Sequence, residues 1–475
     1  MYKRQAVIDS LYLLLPLIFM SGMTLALLLM GSFGSDYGGI RNMALFSLLV
    51  VGATYMVARP PTGAEFGFDG LFMRDGLSDF SAILILVGLA FALLLSDSWL
   101  RRETLLRREF PVLVLFSGIG MLLMVSSSNL MTLYLAMELQ SLPLYVLAAW
   151  RTRDLLSNEA GLKYFVLGSL ASGIMLFGMS LVYGFSGTLA FTDLTLDNAG
   201  TVAGMTLVMI GLGFKLSASP FHMWTPDVYE GAPTPVTALF SMVPKVAALV
   251  ALARLYVLDA ASVEMLQSVL WFLAFLSMVW GAFAALGQSQ IKRLLAYSAI
   301  GNIGYALMGL ASGTALGLES ALVYITIYLV TMAGVFAIVL SMRRDGQPLE
   351  ALDDLRGFSE HHPVVALLLA VLMFSAAGIP PFAGFFAKVY VFRAALDAGL
   401  IFLAVFGATT VVVAAFYYLR IVRLMYFDEG SGAHDRPLSP TLSFVMFLAA
   451  ALVTGFLLSP SGLVTVARLA ALSVF

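Results

Sequence analysis

The sequence predicts an all-α, polytopic membrane protein of about fourteen transmembrane helices, and three observations predict it. Of 475 residues, 60% are hydrophobic and only 11% charged, whereas an ordinary soluble domain carries about 25% charged residues. Apolar runs long enough to cross a bilayer recur from one end of the chain to the other. Lysine and arginine crowd onto alternate connections between those runs. Mean hydropathy is +0.95, and no soluble core of this length buries so many apolar side chains, so lipid is the solvent for most of them.

A spanning helix needs about 20 predominantly apolar residues. The first, 9–31, follows MYKRQAVIDS; its apolar run is too long for a signal peptide and lacks a cleavage site. The others are 42–58, 78–98, 110–128, 129–150, 160–186, 200–221, 234–257, 262–286, 293–313, 317–341, 362–395, 399–422 and 440–459. No connection is long enough to fold as a separate domain. The longest polar one, near 342–361, has mixed charges and helix-compatible spacing. One integral bundle results, subdivided as helices 1–3 (1–109), a first five-helix unit (110–257), a second (262–425) and a C-terminal helix (426–475).

Composition also excludes. A net charge of −2 leaves no basic face for nucleic acid. The absence of cysteine removes disulfides, iron–sulfur clusters and Cys-zinc sites. Four histidines, His222, His361, His362 and His434, are too scattered for haem or a metal cluster. No cofactor is expected in this chain. The 35 Phe and 25 Met read as packing and lipid contact rather than a quinone site.

Sorting the 26 Lys and Arg by connection gives orientation. Sixteen fall after helices 1, 3, 5, 7, 9, 11 and 13: Arg41, Arg101, Arg102, Arg107, Arg108, Arg151, Arg153, Lys163, Lys292, Arg293, Arg343, Arg344, Arg356, Arg420, Arg423 and Arg436. Seven fall on the other face: Lys3, Arg4, Arg59, Arg74, Arg254, Arg393 and Arg468. The positive-inside rule makes the first face cytoplasmic and points both termini outward.

Three lysines remain, all inside spans: Lys215 in GFKLSASP, Lys245 in MVPKVAAL and Lys388 in GFFAKVYVF. Among acids only Glu138, in LAMELQSLP, lies well inside one. Each costs about 2.5–3.5 kcal/mol at the bilayer centre. Snorkelling to an interface or a structural ion pair are the bland readings, but one Glu and one Lys still leave two lysines over. Arginine outnumbers lysine twenty to six, yet every deep cation is lysine. Arginine stays protonated, whereas a desolvated lysine can release its proton.

Backbone breaks accompany these charges. The seventh span is interrupted at SASPF (Pro220) and the twelfth at AAGIPPFAGF (Gly378, Pro380, Pro381, Gly384). Both read Ser-Ala followed shortly by Pro-Phe: Ser217, Ala218, Pro220, Phe221 and Ser375, Ala376, Pro381, Phe382. They lie five helices apart, and an odd-numbered repeat inserts upside down, so helices 4–8 and 9–13 read as inverted repeats, each with a broken helix. Broken helices in corresponding halves point to a transport pathway.

The stretches GLKYFVLGSLASGIMLFGMSLVYGFSGT, FKLSASPFHMWTPDVYEGAPTPVTALFSMVPKVAA and QIKRLLAYSAIGNIGYALMGLASG closely resemble the antiporter-like membrane subunits of proton-pumping NADH:quinone oxidoreductase, respiratory complex I, over about residues 70–430. A short chain ending soon after helix 14, with lysine in the twelfth helix, resembles the N type rather than L or M. The resemblance implies proton transfer by Glu138, Lys215 paired with it, central Lys245, and Lys388 on the exit side. It also implies residence in the bacterial inner membrane among other complex I subunits, especially M, L and the small subunit K, with flavin and iron–sulfur clusters in partners. Asn302, in YSAIGNIGY, departs from relatives that carry histidine there; neutral Asn does not titrate, and Tyr297, Ser298, Tyr305 and water are the groups at hand to fill the gap. His222 reads equally as a relay or as a histidine satisfying freed backbone groups. Asp227 and Glu230, in WTPDVYEGAPTP, read as rim residues that orient the turn. A subunit of a multi-subunit cation/proton antiporter, a secondary solute transporter and a membrane scaffold are the competing readings.

Overall fold

The computed structural model describes residues 10–34, 36–57, 63–256, 260–430, 435 and 439–475, with side chains except at 256 and 260–265. Of the residues read above, Lys3, Arg4, Arg59, His434 and Arg436 lie outside the described residues. The chain is helical almost throughout: α1 (Leu15–Ser32), α2 (Tyr37–Val57), α3 (Gly76–Arg102), α4 (Glu109–Val125), α5 (Leu130–Ala148), α6 (Leu155–Ser186), α7a (Ala199–Leu216), α7b (Thr225–Gly231), α8 (Thr234–Tyr256), α9 (Ala260–Leu286), α10 (Ile291–Ala311), α11 (Ala315–Ser341), α12a (Pro363–Ala377), α12b (Ala383–Asp397), α13 (Ile401–Phe427), α14 (Pro440–Gly455) and α15 (Ser461–Leu472).

Helix starts follow from local chemistry. Asp75, Asn129, Asp154, Asn198 and Thr314 stand just before α3, α5, α6, α7a and α11, each accepting from a backbone N–H of the first turn. Eleven described helices are long and apolar enough to cross a membrane. The shorter apolar α4 and α14, together with the divided twelfth helix, make up the fourteen expected. Outer faces are apolar at helical spacing: α6 exposes Leu162, Phe165, Val166, Leu170 and Phe177, and α13 exposes Ile401, Val405, Val412 and Phe416. Such faces require lipid.

Three features depart from the sequence reading. A helix, α15, follows the last span; it buries Ala467, Ala470 and Ala471 against α3 and α11 and exposes Val466, Leu469 and Leu472. At 12 residues with Arg468 inside it is too short to register as a span. The connection near 342–361 is mostly not helical: it forms a hairpin (Arg343–Arg344 with Gln347–Pro348) and two single-turn helices. A second hairpin pairs Glu65–Gly67 with Phe72–Arg74.

The centre of the bundle decides where the site lies. α8 is buried on every side over Thr234–Leu255, and α10 and α11 nearly so. A helix apolar all round finds partners all round, and α8 packs against α3, α4, α7a and α11. Lys245 therefore stands in the middle of protein rather than against lipid.

Candidate functional site: unpaired lysines beside broken helices

Seven described cations are buried: Arg74, Lys215, Lys245, Arg254, Lys292, Arg343 and Lys388. Four are ion-paired, Arg74 with Asp79 at 2.7 Å, Arg254 with Asp75 at 2.8 Å, Lys292 with Glu350 at 3.0 Å, and Arg343 with Glu103 at 2.5 Å. Lys215, Lys245 and Lys388 have no carboxylate within 4.0 Å among the described residues. They are 3%, 1% and 5% exposed, which rules out snorkelling. A buried charge without a counter-ion is tolerated only where hydrogen bonds meet it, so each lysine's surroundings matter.

Lys215 occupies the last turn of α7a. Its Nζ donates to Ser141 Oγ at 2.6 Å and Tyr145 Oη at 3.0 Å, both on α5. Aromatic faces complete the surroundings, with Nζ 5.1 Å from the Tyr145 centroid and 5.7 Å from that of Tyr164. Glu138, half-buried, lies on the same α5 stripe as Ser141 and Tyr145, a spacing of three and seven residues. Ser172 of α6 donates to its Oε1. The direct pair implied by the resemblance is not formed: Lys215 is met by the hydroxyls of Ser141 and Tyr145, and Glu138 by that of Ser172.

The α7 break shows why. α7a ends at Ser217, which takes left-handed geometry (φ 63°). Ala218 N donates back to Gly213 O at 2.8 Å, closing a Schellman-type end. Ser217 N donates to Phe214 O at 3.0 Å, and Trp224 Nε1 adds a second donor to the same oxygen at 2.9 Å. The Trp224 ring stacks on Tyr164, centroids 4.5 Å apart, continuing the aromatic wall from Lys215. His222 does not satisfy the freed backbone: its Nδ1 has no protein partner and its ring lies 5.6 Å from Trp280. Asp227 and Glu230 of α7b both bond Arg293 (2.8 and 2.7 Å), and Asp227 also bonds Lys163 at 2.6 Å, tying the turn to α10 and α6.

The α12 break has the same backbone and a different cap. α12a ends at Gly378 (φ 86°), and Ile379 N donates to Phe374 O at 2.9 Å. A cis peptide bond precedes the proline three residues after each left-handed residue, Pro220 and Pro381. The structural correspondence is thus Ser217 with Gly378 and Pro220 with Pro381. The Ser-Ala likeness does not survive, because Ser375 and Ala376 lie inside the last turn of α12a whereas Ser217 and Ala218 lie beyond α7a. Lys388, on α12b beyond the break, reaches back and donates to Ala376 O and Ala377 O at 2.8 and 2.9 Å. A cation on helix-end carbonyls also meets the negative end of the helix dipole. A side chain at Gly378 would strike Lys388 Cδ at 2.9 Å, and one at Gly384 would strike the Ser375 carbonyl. Both glycines are there for close approach.

Lys245 has neither kind of partner. Its Nζ is without a protein hydrogen bond, 5.9 Å from the Tyr229 centroid. Asn302, between Lys245's helix and Lys388's, is saturated: Nδ2 donates to Ser298 O (2.8 Å) and Tyr418 Oη (3.1 Å), and Tyr324 Oη donates to Oδ1 at 2.7 Å. Ser298 Oγ joins Tyr418 Oη, and Tyr305 Oη joins Thr410 Oγ1 at 3.0 Å while facing Lys388 with its ring. Tyr297 is half-buried and forms no hydrogen bond in this network. Sequence reasoning missed Ser141, Tyr145, Tyr164, Ser172, Tyr324 and Tyr418. Tyr145 carried a signal, seven residues after Glu138 on one helix face; Tyr418 carried none. Among the described residues no three His, Cys, Asp or Glu gather as a metal site.

Comparison with known proteins agrees. Residues 127–414 match the family model of the NADH:quinone oxidoreductase/Mrp antiporter transmembrane proteins. The NADH-quinone oxidoreductase subunit N of Rhodospirillum rubrum is 48% identical over 467 residues, 96% of each chain. A chain of respiratory complex I from Thermus thermophilus superposes with a TM-score of 0.82 at 33% identity, over 94% of this chain and 98% of that one. A chain of the Mrp complex of Dietzia sp. shares the fold alone, with a TM-score of 0.87 at 21% identity over 96% of each chain. With near-full-length identity of this order, the chain belongs to the subunit N family of NADH-quinone oxidoreductase.

Proposed function

We propose that this chain is a proton-translocating, antiporter-like membrane subunit of an NADH:quinone oxidoreductase, in which redox chemistry belongs to partner subunits. One observation carries the reading: three lysines on three helices are buried without a carboxylate partner, while every buried arginine is paired. Structural cations would be paired; carriers have to release and regain protons. Glu138, Lys215, Lys245 and Lys388 are the proton-transfer residues in this reading. Glu138 tunes Lys215 through space rather than by contact. His222, Ser298 and Tyr305 are secondary groups, and Tyr297 is left outside the path. The units 110–257 and 262–425 are inverted repeats, a reading supported by the matching ends of α7a and α12a. Both termini lie outside the bacterial inner membrane, as the sixteen-to-seven charge split supports. The nearest partners are the M, L and K subunits, and flavin and iron–sulfur clusters reside in partners.

The test is Lys245→Arg in the intact complex reconstituted into vesicles. Arginine keeps the charge but does not let go of its proton. Proton uptake driven by NADH is expected to fall about tenfold or more, equivalent to about 1.4 kcal/mol or more, with complex assembly retained. Wild-type pumping by the assembled Arg variant would mean Lys245 does not titrate. The alternative, a subunit of a cation/proton antiporter, is favoured by the Mrp likeness in fold; purification without NADH-oxidising subunits would select it.

A further inference from the structure

Resting on that reading, the route from Lys245 to Lys388 needs a group that hands protons between the two halves. Asn302 is the obvious bridge by position, yet each of its polar atoms is engaged with Ser298, Tyr418 or Tyr324. An amide so held neither titrates nor turns. Next to it is a different set of atoms. Lys245 Nζ, Tyr229 Oη and Tyr328 Oη are all buried, and none has a protein hydrogen-bond partner. Tyr229 and Tyr328 are 0% and 6% exposed, and α11, which carries Tyr328, packs against α8, which carries Lys245. Tyr229 also carries Lys245 over its ring. Leaving a buried hydroxyl unmet is costly, so unmet polar atoms on helices that pack together mark a place for water or a mobile proton.

Tyr328 faces the other half as well. It lines a cavity of about 20 Å³ together with Lys388, Asn302, Tyr324, Thr331 and Ser375. One water needs roughly 10–15 Å³ of such space, so the cavity accommodates one. On the opposite flank of Lys388, among Tyr305, Tyr417 and Tyr418, there is no room for a water. Space next to Lys388 opens towards Tyr328 and closes towards Tyr418. Tyr328 belongs to α11, which packs against both α8 of Lys245 and α12b of Lys388.

We propose that Tyr328 is the relay residue between Lys245 and Lys388, passing protons around Asn302 through its hydroxyl and a water in the cavity beside it. Lys245 releases its proton to a water on its side, the hydroxyl accepts a proton on oxygen from that water as it donates its own to the water facing Lys388, and no net charge stays on the phenol.

The experiment compares Tyr328→Phe, Asn302→Leu and Lys245→Ala in the intact complex reconstituted into vesicles. Assembly is checked by NADH oxidation with an artificial acceptor, and pumping is read as NADH-driven acidification in H2O and D2O. Tyr328→Phe keeps the ring and loses only the hydroxyl. It is expected to lower pumping about fivefold or more and to change the solvent isotope effect, which a packing role would leave alone, while Asn302→Leu keeps more than half of wild-type pumping. Wild-type pumping and isotope effect in an assembled Tyr328→Phe variant would overturn the proposal, provided Lys245→Ala is inactive. If Lys245→Ala also pumps normally, the proton-carrier reading itself fails, so the two failures are told apart. Should Tyr328→Phe fail to assemble, Tyr328→Trp, which fills the space without an O–H, decides in the same way.

Discussion

Break one and break two of this bundle share a backbone and differ in who caps it. Both helices end in a left-handed residue followed three positions later by a proline, at Ser217 and Pro220 and at Gly378 and Pro381. In the first half the Ser217 and Ala218 N–H groups and Trp224 meet the last-turn carbonyls of Phe214 and Gly213, and Lys215, two residues before the end, takes hydroxyl partners on α5. In the second half the lysine sits beyond the break and is itself the cap, on Ala376 O and Ala377 O. The difference teaches that one backbone device can serve a cation that is separable from the fold and another that is part of it. Lys215 is set up to respond to Glu138; Lys388 ties its proton to the geometry of a helix end.

The largest structural effect expected from this contrast lies at Lys388. Lys388→Ala strips two helix-end carbonyls, one buried and one part-buried, of their donor, at about 1–3 kcal/mol for a fully buried unmet group. Lys215→Ala leaves two hydroxyls, of which Ser141 already donates to Met137 O. Thermal unfolding of the purified complex should therefore show Lys388→Ala below Lys215→Ala, and equal midpoints would erase the distinction between the two halves. A smaller loss is expected for Trp224→Phe, which removes one of two donors to Phe214 O and leaves Ser217 N in place, measured as faster amide exchange at the end of α7a. No change there would show that Phe214 O needs no second donor.

The smallest effect is electrostatic and belongs to the rim of break one. Partial burial by itself would push the Asp227 carboxyl up, but the hydrogen bonds and charges of Lys163 and Arg293 together outweigh it and hold it below the ordinary range. A depressed carboxyl contributes stability that is complete above the unfolded value of about 3.9 and is lost as pH falls through the folded one. Acidification from pH 5 to 3 should loosen α7b in the wild type, and Asp227→Asn should flatten that part of the profile. An unchanged acid profile in the Asn variant would locate the sensitivity elsewhere, at the Asp75–Arg254 clasp for instance, whose carboxyl is likewise held down against burial.

Much of this molecule was legible in the residues. Span lengths, the depth of Lys215, Lys245 and Lys388, and the places where helices seven and twelve break all follow from local quantities: apolar run length, the cost of a charge in hydrocarbon, and proline's missing N–H. What remained illegible was who meets whom. Asn302 is satisfied from positions 22 and 116 residues away, by Tyr324 and Tyr418, and no spacing rule reaches that far. The Ser-Ala likeness of the two breaks misled because a helix ends where a residue adopts positive φ, not where a dipeptide recurs. The sequence by itself determined that these lysines lie deep and that two helices cannot run through. Only the tertiary structure decided that Lys388 caps a helix, that hydroxyls rather than Glu138 bond Lys215, and that Lys245 Nζ stands without a protein hydrogen-bond partner. Side-chain partners are set by the packing of helices distant in sequence, and that packing is a property of the whole bundle.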